Sequence, residues 1–159
     1  MIDKSVKLNK RENAMLTKTD YALWIEETVN LLKEKNYQNV DWENLIEEIE
    51  SLGRSDRQKV RSFLRQLLAH LLKRCYLPLP QEFHHWEVEI RNFRVELQDI
   101  FDDSPSLKRY ANEVLPNCWQ VALEGVRQEY KGFDFPDQYP FAEDIKGILH
   151  DTFWLEQLQ

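Results

Sequence analysis

Glycine and proline are scarce, with four and six in 159 residues. So few turn-formers leave little room for the many short strands of an all-β protein, and they favour long helices. Cysteine is scarcer still. Cys75 and Cys118 are widely separated and each sits inside an apolar helical pattern, which points to free, buried thiols in a reducing compartment and not to a disulfide framework. No apolar run comes near the ~20 residues that a membrane-crossing helix requires, and the opening MIDKSVKLNKRENAMLTK has no apolar h-region. We therefore expect a cytoplasmic protein with no membrane partner. Catalytic signatures are missing too: the chain has no G-x-S-x-G, no phosphate-cradling glycine loop, no C-x-x-C and no H-E-x-x-H. On that ground we lean away from an enzyme and expect no cofactor and no metal.

What the chain does have is apolar residues at helical spacing. Residues 1–18 are polar and aperiodic, which predicts a flexible arm ahead of a single helical domain over 19–159. A first helix suits the run from Asp20 to about Lys35. In a second, Trp42, Leu45, Ile46, Ile49 and Leu52 line one face, with Asp41 as N-cap and Gly53 in the C′ position that glycine favours. Ser55 can cap a third helix, whose stripe is Val60, Phe63, Leu64, Leu67, Leu68, Leu71, Leu72 and Cys75. So short a connection would make these two helices antiparallel neighbours.

Beyond the Leu77-Pro78-Leu79-Pro80 break, a fourth helix fits Phe83–Phe101, with Val88 and Val95 on its back seeking a second contact within the chain. Ser104-Pro105 opens a fifth, which Pro116 should kink or split. The aromatic tail from Phe133 to Trp154 suits a loop docked on the bundle, with a short helix from about Pro140 to Leu149. The fold class expected is all-α, a bundle of five to six helices around a central antiparallel hairpin (41–52, 55–76).

Charge alternates along the chain. From Asp41 to Glu50 there are five acids and no base; from Arg54 to Arg74 there are seven bases against Asp56 alone. The favoured reading pairs these segments across the hairpin, a device that selects register more than it stabilises. The sharper alternative is an anion-binding stripe of Arg57, Arg61 and Arg65, which repeat every four residues and share a face. A net charge of −7 argues against nucleic acid as its partner.

Carboxylates one helical turn apart beside a facing histidine are how bundles build metal sites, so Glu47, Glu50, His70 and Lys73 form a candidate polar cluster if the hairpin brings them together. The two Glu-x-x-His motifs on separate helices that a di-metal centre needs do not occur, and the adjacent His84 and His85 would point ~100° apart on a helix.

The strings DWENLIEEIESLGRS at Asp41–Ser55, AHLLK at Ala69–Lys73, Trp86, SPSL at Ser104–Leu107 and Tyr139-Pro140-Phe141 together resemble the bacterial family catalogued as domain of unknown function 29, over about residues 20–150. The resemblance implies an all-helical bundle in bacterial cytoplasm. It brings no activity and no site residues. The function expected is that of a non-enzymatic interaction or regulatory module with a protein partner or a homo-oligomeric state. The alternatives are a small metal-binding protein or enzyme using the Glu/His cluster and, more weakly, nucleic-acid binding through the arginines.

Overall fold

A computed structural model of the chain describes residues 10–154, and the regular elements among them are all helical: α1 (Lys10–Thr19), α2 (Tyr21–Lys33), a 3-10 turn (Tyr37–Asn39), α3 (Trp42–Tyr76), α4 (Pro80–Asp103), α5 (Ser106–Glu129) and α6 (Ile145–His150). The all-α class is as expected. The central hairpin is not there: 41–52 and 55–76 belong to one continuous helix, α3, 35 residues long.

The reason lies at Gly53. A helix stop of the kind glycine favours needs a left-handed residue after the last turn, and among the described glycines only Gly132 has a positive φ. Inside a helix, glycine costs only about 1 kcal/mol relative to alanine. Leu52 and Arg54, both good helix formers, adjoin it, and the pairs Glu50–Arg54 and Asp56–Lys59, each at 3.8 Å, bridge neighbouring turns. A true stop is seen at the end of α2, on a residue less suited to it. Lys35 takes φ 56°, its N–H donates to the Leu32 carbonyl at 3.1 Å, and Asn36 N–H donates to Leu31 at 2.9 Å, which completes a Schellman motif.

The chain also divides into two compact units, Met1–Arg54 and Ser55–Gln159. In the first, α1 packs against α2, so residues 10–18 of the expected arm are helical; the rest of that arm, 1–9, lies outside the described residues. The run Ala14-Met15-Leu16 favours helix, and its neighbour Asn13 is buried. Asp20 caps α2 by accepting from Leu23 N–H at 3.1 Å, and Asp41 caps α3 by accepting from Asn44 N–H at 3.4 Å. The buried apolar residues here are Trp24, Leu31 and Val40.

The second unit holds the rest of α3 with α4, α5 and α6. The α3 stripe from Val60 to Leu72 supplies six fully buried side chains, joined by Trp86, Ile90, Leu97 and Phe101 of α4 and by Leu115, Trp119, Leu123 and Val126 of α5. Pro116 does not split α5, which is helical on both sides of it. The aromatic tail docks as expected: the Trp119 ring meets Tyr139 edge-on at 5.3 Å, and Phe141 lies 5.0 Å from Phe153. Asp144 caps α6 by accepting from Gly147 N–H at 2.8 Å, while Asn112 of α5 accepts from Ile145 N–H at 2.9 Å. Arg94 of α4 holds the far end, donating to the carbonyls of Ile148 at 3.0 Å and Asp151 at 2.6 Å. Val88 and Val95 remain 40% and 48% exposed, and Val95 borders a hollow shared with Leu149 and His150 of α6. Among the described residues, no helix is long and apolar enough to cross a membrane.

Candidate interaction face and arginine groove

The continuity of α3 redistributes each residue singled out in the sequence. Glu47 and Glu50 belong to the first unit and His70 and Lys73 to the second, and the hairpin on which their grouping was premised is replaced by the continuous α3. Among the described residues, no three His, Cys, Asp or Glu side chains are grouped to hold a metal ion. His70 has its own partners: Nδ1 lies 2.8 Å from the Gln66 carbonyl and the ring packs 5.3 Å from Phe93. Burial holds its pKa below the ordinary value. Lys73 pairs with Glu129 of α5 at 2.9 Å, and Arg74 pairs with Glu87 of α4 at 2.7 Å while stacking on Phe83. These two bases do neutralise acids across helices. The arginines before them do not.

Two features remain. The first is the N-terminal part of α3. The apolar stripe expected to face a hairpin partner faces solvent instead: Ile46, Ile49 and Leu52 are 54%, 60% and 66% exposed, and Trp42 is exposed beside them. On a helical projection Glu43, Glu47 and Glu50 flank this stripe on one side and Glu48 on the other. Glu48 accepts from the Tyr21 hydroxyl at 2.7 Å, and that bond, with burial and the carboxylate's charge behind it, raises the Tyr21 pKa. The result is an apolar strip with acidic margins.

The second feature is a groove of about 520 Å³ in the second unit, lined by Gln58, Arg61, Ser62, Arg65, Gln66 and Asn117. Its lining contains two arginines and no carboxylate. Arg61 donates to the Tyr110 hydroxyl at 2.8 Å, and Arg57 lies 5.6 Å from the centre of the same ring. Nε of Arg65 is buried without a hydrogen-bond partner. The stripe Arg57, Arg61 and Arg65 is thus gathered on one side of α3 against α5, and none of the three forms an ion pair among the described residues. Beside Arg65, burial raises the Cys118 thiol pKa against the pull of that guanidinium, and Cys75 is pushed up to about 11 by burial. Both thiols are therefore protonated near neutral pH and unsuited to nucleophilic attack. Sequence reasoning missed Gln58, Ser62, Gln66, Tyr110 and Asn117. A signal existed for the first three, which repeat every four residues one position after the arginines.

The model of the family described as Domain of unknown function DUF29 matches residues 16–154. The chain belongs to this family. No curated protein and no solved structure matches it. The DUF29 match takes in both the acidic apolar strip and the arginine groove, and it spans both units from within α1 to the end of the docked tail.

Proposed function

We propose that this DUF29 protein is a non-enzymatic interaction module whose N-terminal unit docks a basic, amphipathic helix of a partner protein. The observation that supports this reading is the exposure of Ile46, Ile49 and Leu52 at one-turn spacing. Covering such side chains is worth about 1.5–3 kcal/mol each when burial is complete, and single soluble domains seldom leave contiguous apolar strips uncovered. Charge selects the occupant. Residues 41–50 hold five acids and no base, so a partner helix with lysine or arginine beside its apolar stripe gains on both counts. A second copy aligned to bring these residues together would set acids against acids. The reading places the protein in the cytoplasm, which suits its free thiols.

The test uses a synthetic helical peptide with leucine on one face and lysine on the other, and its leucine/glutamate counterpart as control. Saturable binding of the lysine peptide is expected, weakened ~10-fold or more by the charge-neutral double change Ile46→Ser and Ile49→Ser. Affinity unchanged by that variant would mean attraction to charge alone and would overturn the reading. A concentration-dependent dimer abolished by the same variant would overturn it as well, because the strip would then belong to a second copy.

A further inference from the structure

The arginine groove is independent of the apolar strip, and its chemistry is of a different kind. Arg61 and Arg65 line its polar part together with amide and hydroxyl groups from Gln58, Ser62, Gln66 and Asn117. Each of these can donate a hydrogen bond. A half-buried guanidinium with no facing carboxylate is an unmet electrostatic demand, since a desolvated charge is costly unless paired. Arg65 forms no ion pair among the described residues; its buried Nε lacks a nitrogen or oxygen partner, and the side chain its guanidinium meets is the weakly accepting Cys118 thiol.

Arg65 and Gln66 also border a second hollow of about 250 Å³, continuing along α3 and α5 past Ala69, Val121, Ala122 and Gly125 to Val126 and Glu129, whose carboxylate is already paired with Lys73 at 2.9 Å. Small side chains keep it open, and a Cβ placed on Gly125 would touch nothing within 4 Å. A cationic, donor-rich hollow thus adjoins a largely apolar one, with Arg65 between them. We propose that the α3–α5 groove binds a small amphiphilic oxyanion, its phosphate or carboxylate head at Arg61 and Arg65 and its short aliphatic tail along Ala69, Val121 and Gly125. Guanidinium forks suit both head groups.

Calorimetric titration of the full chain at low salt with hexyl phosphate, hexanoate and inorganic phosphate tests this. At least one of the two amphiphiles should saturate one site, at least ~10-fold more tightly than inorganic phosphate, because a tail of about five carbons leaves water. Which of the two binds more tightly assigns the head group. Arg65→Gln should weaken that binding ~10-fold or more, whereas Arg109→Gln, at an exposed residue of α5 paired with Glu113, should leave it unchanged. Gly125→Leu should weaken the amphiphile while sparing inorganic phosphate. Equal affinities with and without the tail, indifference to Arg65→Gln in a variant whose melting is unaltered, or no saturation by either amphiphile would each overturn the proposal. Tighter, strongly salt-dependent binding of a single-stranded oligonucleotide would overturn it in favour of a polymer site.

Discussion

The two units of this chain are built from equally amphipathic helices, yet they use their apolar residues in opposite ways. The second unit buries 23 of them in one cluster; the first buries Trp24, Leu31 and Val40 and leaves ten large apolar side chains exposed, from Met15 to Leu52. Polar groups lean in the same sense. Among the described residues, Asn13, the Trp24 indole N–H and the Thr28 hydroxyl in the first unit are buried without hydrogen-bond partners, against Arg65 Nε alone in the second. In the second unit the polar groups that end and anchor helices are paired, as at Arg94, Asn112 and Asp144. Amphipathic pattern commits a residue to a face; it does not say whether the partner for that face belongs to the same chain. The second unit finds its partners internally, and the first leaves Ile46, Ile49 and Leu52 exposed.

The largest expected effect contrasts the two cores. Leu68→Ala, at a fully buried position of α3, should lower unfolding free energy by about 2–5 kcal/mol, while Ile49→Ala on the exposed strip should stay within about 0.5 kcal/mol. Urea denaturation reads both, and a large cost at Ile49 would show that the strip is covered in solution. A middle-sized effect is expected at Arg94. Replacing it with glutamine removes two charge-assisted bonds to the end of α6 and should cost about 1.5–3 kcal/mol, with faster amide exchange at Ile148 and Leu149 as the local readout. The smallest effect has the opposite sign. Thr28→Val deletes a buried, unpartnered hydroxyl in the first unit and should raise its stability by about 1 kcal/mol. A loss there would mean that the hydroxyl has a partner in solution and that the units differ less than their polar groups imply.

Much of the helix pattern was legible. The stripe of Val60, Leu64, Leu67, Leu68, Leu71 and Leu72 is buried, the caps at Asp20 and Asp41 form, and the aromatic tail docks on Trp119. Misreading concentrated at Gly53 and Ser55, where cap-type residues stand in a segment that stays helical. A glycine is compatible with a stop or with one weak turn, and the balance is set by about 1 kcal/mol, which local spacing cannot resolve. That one turn carried the site predictions with it. Had the helix reversed, the acids of 41–50 would have run beside Arg57, Arg61 and Arg65. The sequence does show those arginines sharing a face, together with Gln58, Ser62 and Gln66 one position on; what it hides is Tyr110 and Asn117, which reach the groove from about fifty residues away along the chain.

From its residues alone, this protein was bound to be helical, because scarce glycine and proline and a three-to-four-residue apolar period permit little else. Membership of its family was likewise written in short strings of side chains. Tertiary structure decided where α3 did not turn, which apolar stripe was buried and which left open, and whether the arginines met carboxylates. Those outcomes depend on contacts between residues far apart in sequence, and no local periodicity contains them.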